Sequence, residues 1–158
     1  MKAKSRPLLI SAAVLLAAGG AFLFSRDVTV LCLRNLDHAR QRVFRVNPPE
    51  RFYLYYRHSI YDAPVTEEFE AGCDGITLKG IWTSHPGVME YYGFEQVRDF
   101  HRREVRFDRP LTLKRCLRQG QGVVVAGTPV GLERLAEVGE RVELGVRSMP
   151  IWRYWISH

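Results

Sequence analysis

The sequence predicts an all-β domain, a small antiparallel sandwich or barrel-like fold, preceded by one N-terminal transmembrane or signal helix. Three observations predict it. An uncharged, mostly apolar run of 18 residues, Pro7 to Phe24 (PLLISAAVLLAAGGAFLF), follows a basic start. After Arg26, short β-branched or aromatic runs alternate with turn residues every several positions, the pattern of all-β domains. The 158 residues leave room for one membrane-proximal segment, 1–26, and one domain, 27–158.

A helix rising about 1.5 Å per residue lets the apolar run cover most of a bilayer core of about 30 Å. Lys2, Lys4 and Arg6 precede it, and the positive-inside tendency keeps them in the cytoplasm, so the chain after Arg26 is expected to be exported. Residues 7–24 then have the cytoplasmic membrane as their partner. The alternative is a cleaved signal peptide, with Leu8 to Ala17 as the apolar core and Gly19-Gly20-Ala21 before the cut. Phe22, Leu23 and Phe24 extend the apolar run past that point and favour retention.

Hydrophobic residues at 46% and charged residues at 25% fall in the globular range, which argues against disorder. The formal charge of +6 suggests nucleic acid until its location is considered. Three of those charges are Lys2, Lys4 and Arg6, leaving 20 basic against 17 acidic residues from Pro7 onward. The later arginines sit among acids, as Arg57 does near Asp62 and Arg106 near Asp108, so no basic face for phosphate is expected and no nucleic-acid partner. Cys32, Cys73 and Cys116 are far apart, without metal-ligand spacing. In an oxidising compartment one pair could bridge and leave a thiol over, with the pairing open, but the simpler expectation is three small apolar residues on strands.

Along the domain, Val28 to Leu33 is a first strand closed by Asn35 to Asp37, and Gln41 to Val46 a second. Pro48-Pro49 stops it, and since neither proline can donate to a ladder the pair marks a chain crossing or an edge. Arg51 to Ala71 is the most informative stretch, with RFYLYYRH and VTEEFEA flanking SIYDAP. Alternation puts Phe52, Leu54, Tyr56 and His58 on one face, and Val65, Glu67, Phe69 and Ala71 on one face of the next run. An antiparallel hairpin pairing His58 with Val65 sets Tyr56 against Glu67 and leaves His58 and Glu67 diagonal. A slip of one residue would bury Glu68 and Glu70 without evident partners.

Ile76 to Thr83 continues as a strand, with Gly80 marking a bulge or a close backbone approach. Ser84 to Gly93 holds many turn formers and reads as an exposed loop rich in aromatics. Further strands are expected at Arg103 to Phe107, Leu111 to Arg115, Val123 to Ala126 and Arg141 to Val146, with a short helix or turn at Leu132 to Val138. In the tail IWRYWISH, Trp152 and Trp155 either cover the end of the core or rest at a membrane interface.

HSIYDAPVTEEFE (His58 to Glu70), LKGIWTSHPGVMEYYG (Leu78 to Gly93) and GLERLAEVGERVEL (Gly131 to Leu144) together resemble a small bacterial family catalogued as domain of unknown function 1850. Its members are often encoded beside tripartite ATP-independent periplasmic (TRAP) transporters whose solute receptors are of the immunogenic-protein (TAXI) type. His58, Ser59, Pro64, Val65 and one of Glu67 or Glu68 match its pattern, whereas the usual Gly-Ala-Gly of the loop reads His85-Pro86-Gly87 here. The resemblance brings no biochemical activity. It implies a transporter neighbourhood, and with the export signal a single-pass protein of the bacterial inner membrane with its C-terminal domain in the periplasm.

His58, Glu67 or Glu68, and His85 form the constellation with acid-base or metal-binding potential. Ser59 beside His58 suggests nucleophilic catalysis, but neighbours in an extended strand point to opposite faces. His58, Glu67 and His85 are candidate ligands for zinc or another divalent ion. The plainer expectation is that His58 donates to Glu67 or a loop carbonyl and fixes the SIYDAP turn. That turn would present Tyr61 and Asp62 beside the loop bearing Tyr91 and Tyr92 as a protein-binding edge, with Gly87 of the same loop a further binding candidate. No Walker loop, dinucleotide fingerprint or nucleophile elbow occurs, so no cofactor is expected and the enzyme question stays open, with a non-enzyme favoured. The leading expectation is a membrane-anchored periplasmic accessory or binding protein that contacts TRAP transporter membrane subunits or the solute receptor. The alternative is a small-ligand or metal-binding module centred on His58, Glu67 and His85.

Overall fold

The computed structural model describes residues 5–95, 100–117 and 120–157, apart from the side chains of residues 5–9 and 23. Lys2 and Lys4 lie outside the described residues. Helix α1 spans Ser5–Ser25. Its Ile10, Val14, Leu15, Leu16, Phe22 and Phe24 side chains are exposed. Among the described residues no helix is long and apolar enough to cross a membrane.

Ten strands follow: β1 (Asp27–Asn35), β2 (Gln41–Arg45), β3 (Glu50–Arg57), β4 (Pro64–Ala71), β5 (Ile76–Trp82), β6 (Phe100–Phe107), β7 (Leu111–Lys114), β8 (Gly122–Val125), β9 (Thr128–Gly131) and β10 (Arg141–Pro150). Two short helices join them, α2 (Pro86–Tyr91) and α3 (Ile151–Ile156). The strands form two antiparallel sheets, one ordered β2-β1-β10-β7 and the other β6-β5-β4-β3-β8-β9. The all-β expectation holds. The chain passes from one sheet to the other at Pro48-Pro49, which is cis. A residue that cannot donate to a ladder is suited to that crossing.

One core cluster draws on both sheets, with Leu31, Leu33, Val142 and Leu144 from the first and Phe52, Val65, Phe69, Ile76 and Val123 from the second. β1 is covered on both faces. Its alternate residues Val28, Val30 and Cys32 join Val43 and Met149 in a second cluster, against which Ile151 and Tyr154 of α3 pack. A strand buried on both sides reads as a continuous apolar run, which is how VTVLCL reads.

Several expectations need correction. β1 runs on to Asn35, whose buried amide donates to the Leu135 carbonyl (2.9 Å) and to Glu140 (2.7 Å) while its oxygen accepts from Asp37 and His38. A turn residue thus ends the strand from inside the ladder. The short helix or turn expected at Leu132 to Val138 is a single 3-10 turn, Leu132–Arg134, shorter than that span. β9 was not foreseen, because Pro129 argues against a strand; it lies at the sheet edge, where proline is tolerated. All three cysteines are free thiols, Cys32 buried and Cys73 and Cys116 exposed. Gly80 meets both of its expected roles. The β5–β6 register shifts between Leu78 and Gly80, and a Cβ on Gly80 would lie 2.3 Å from the Phe100 ring.

Candidate functional site

The β3–β4 hairpin builds the site. Its pairing is displaced by two residues from the expected one: Tyr56 faces Val65, Leu54 faces Glu67 and Phe52 faces Phe69. The turn is tighter than SIYDAP suggested, because the ladder continues through an His58 N–H donating to the Ala63 carbonyl (2.8 Å). Asp62 takes a left-handed conformation (φ 51°), its N–H donates to the His58 carbonyl (2.9 Å), and its carboxylate accepts from Arg57 Nε (2.9 Å). A shift of two preserves the alternation, so the predicted inward face survives. The change is that Tyr56, not His58, becomes the diagonal neighbour of Glu67.

The Tyr56 hydroxyl donates to Glu67 Oε1 at 2.9 Å and the Tyr92 hydroxyl at 3.2 Å, and the two hydroxyls lie 2.6 Å apart. This triad ties the hairpin to the end of α2, where Tyr92 follows the helix. Burial raises the Glu67 carboxyl above its ordinary value, opposed by the two phenol hydrogen bonds. Burial and the neighbouring carboxylate push both phenols upward, Tyr92 to about 12. The proton therefore stays on the phenols at any ordinary pH.

Beside the triad lies a stack of rings. His58, itself buried, stacks on Tyr61 (centroids 5.3 Å apart) and takes the edge of Tyr91 at 4.8 Å. Tyr61 also reaches His85 at 5.3 Å. Gly87 leaves room for that ring, since a Cβ would come within 2.5 Å of Tyr61. Tyr91 leads edge-on to Tyr92, and Tyr92 through Phe94 to His101, the last pair stacked at 4.1 Å. Among the described residues, His58 Nδ1, His85 Nδ1 and His101 Nε2 are each buried without a hydrogen-bond partner.

Of the sequence-predicted residues, the structure brings His58, Tyr61, His85, Gly87 and Tyr91 into one cluster. Glu67 sits in the adjoining triad and makes no hydrogen bond to His58, which corrects the expected pairing. Asp62 clamps the turn, and Pro64 opens β4. Ser59 is exposed and unbonded to His58, so no nucleophilic pair forms. Glu68 is buried on the opposite face of the sheet, 3.2 Å from Arg51 Nη1. Among the described residues no group of three or more His, Cys, Asp or Glu side chains could hold a metal ion, so His58, Glu67 and His85 do not assemble as ligands.

No protein family, curated protein or solved structure matches the chain.

Sequence reasoning missed helix α2, along with Tyr92 as a triad member, Phe94 and His101. The helix had a signal: Pro86 at its first position and Gly93 just past its end (φ 75°) are start and stop residues, not only turn formers. His101 had none, because it arrives from β6 through pairing with Ile81. Chemically, the arrangement is a closed latch behind a rigid aromatic edge. Ile60, Tyr61 and Tyr91 remain 68%, 37% and 61% exposed at that edge.

Proposed function

We propose that the chain is a membrane-tethered, outward-facing accessory protein that holds a protein partner against the edge formed by Ile60, Tyr61 and Tyr91. The observation that carries this reading is that exposed aromatic rings are packed on a buried one. Tyr61 and Tyr91 both rest on buried His58, yet both keep surface open to solvent. Aromatic side chains already fixed in place lose little freedom on binding and serve as contact anchors. The 18-residue uncharged run behind Lys2, Lys4 and Arg6 supports the tether, and the exposed apolar side chains of α1 are consistent with it.

The partner expected from the family resemblance is a TRAP transporter, through its membrane subunits or its solute receptor. Purification of the tagged full chain from its native membranes tests both parts. Co-purification of a transporter component that is lost on Tyr91→Ala, with the domain still folded, is the expected result. A protein that runs alone, with solute uptake unchanged in its deletion strain, overturns the reading. A mature band in the soluble periplasm would overturn the tether alone.

A further inference from the structure

Helix α3 is two-sided. Ile151 and Tyr154 pack on the outer cluster of the first sheet, while Trp152, Trp155 and Ile156 lie at the other helical positions. Trp152 reaches Phe24 near the end of α1, with centroids 5.4 Å apart. The Ile151 N–H donates to the Arg26 carbonyl (2.9 Å), so α3 is tied to the first residue after α1. Trp155 and Ile156 are 59% and 74% exposed. They do not cover the core, which the tail was one way expected to do.

Around this apolar surface stand Arg26, Arg147 and Arg153. Arg153 lies over the Trp152 ring (5.5 Å) and Arg26 over Phe22 (4.8 Å). Arg147 and Arg153 line a cleft of about 420 Å³ with Ser148, Pro150 and Ile156. Among the described residues none of the three arginines carries an ion pair with an acidic side chain, and Asp27 is the single acid in segments 22–27 and 147–157. Exposed tryptophan and isoleucine ringed by unpaired arginines, continuous with a tether helix, match an anionic lipid surface: the indole suits the headgroup level and the guanidinium groups suit phosphate.

We infer that α3 is a second membrane contact, which lays Trp155 and Ile156 into the interface of an anionic phospholipid leaflet and fixes the domain's orientation on it. The inference rests on the tether proposed above. It adds what that reading lacks, a reason for the domain to lie in one pose.

The test uses the full chain with Trp82→Phe and Trp152→Phe, so that Trp155 is the sole indole, reconstituted in phosphatidylethanolamine vesicles with or without phosphatidylglycerol. With acyl chains brominated near the ester end, Trp155 emission should fall by about half, as for an indole about 5–10 Å into the interface. The fall should be weaker without phosphatidylglycerol. With Trp82→Phe and Trp155→Phe instead, the remaining Trp152 reports the end of the tether through its contact with Phe24, so quenching of Trp152 without quenching of Trp155 separates the tether from the second contact. A chain that floats with the vesicles but whose Trp155 is not quenched overturns the inference and leaves the tether standing. Equal quenching in neutral lipid overturns the anionic assignment. A chain that does not float overturns the tether, and the inference with it.

Discussion

The Tyr92 hydroxyl lies 2.6 Å from that of Tyr56, and both converge on one carboxylate oxygen of Glu67. Two residues 36 positions apart are thereby joined through a third, and the loop carrying Tyr91 is held to the hairpin carrying His58.

Removing either phenol should loosen that joint. Tyr56→Phe and Tyr92→Phe are each expected to cost about 1–2 kcal/mol in urea unfolding, with the carboxylate left short of a donor. The double variant should cost less than the sum, because both hydroxyls serve one oxygen. Strict additivity would mean that the triad is not a unit.

The same carboxylate sets a pH dependence. Burial raises the folded Glu67 pKa above its ordinary 4.5, so the folded chain holds this proton more firmly than the unfolded one. Its contribution to stability is complete below that ordinary value and is lost as pH rises through the raised one. Glu67→Gln cannot ionise, so its stability relative to the native chain should increase with pH between about 4 and 8. Parallel stability curves for the two chains would contradict this.

Two glycines should respond differently to the same added methyl. At Gly80 a Cβ meets the Phe100 ring and the His101 carbonyl (2.9 Å), which is backbone and cannot swing aside. Gly80→Ala is expected to cost about 1–3 kcal/mol. At Gly87 the obstacle is the Tyr61 ring, a side chain that an added methyl would push off its stack on His58. Gly87→Ala should cost under about 1 kcal/mol in thermal unfolding, yet weaken the proposed partner capture by breaking the stack on His58.

The thiols should separate by burial. Burial raises the Cys32 pKa and shields its sulfur, whereas Cys73 and Cys116 are exposed. A maleimide followed by mass spectrometry should add two labels to the native chain, at Cys73 and Cys116, and a third only in denaturant. Fast labelling of Cys32 in the native chain would count against the second cluster.

The strands were legible because period-two alternation and β-branched runs survive any register. Phe52, Leu54 and Tyr56 kept their face although the pairing moved by two residues. The register itself was not legible, since it depends on the left-handed Asp62 and its Arg57 clamp, which shorten the turn. Within the site, His58, Tyr61, His85, Gly87 and Tyr91 could be found because they lie in two turn-rich segments, one before β4 and one after β5. The triad could not be found whole, because Tyr92 faces inward only once Pro86 to Tyr91 coils into a helix. His101 required knowledge of which strand lies beside β5.

The pairing of β1 with β10, from Asp27 against Pro150 to Asn35 against Val142, carries a consequence for biogenesis. The first strand to leave the apolar segment must wait for almost the last one to be made. Contacts of such long sequence separation close slowly, and the waiting edge is open to wrong neighbours. If the domain is exported as proposed, a chaperone that holds emerging chains outside the membrane should therefore govern its yield more than its final stability does, and depleting that chaperone should lower abundance without shifting the melting temperature of the protein that survives.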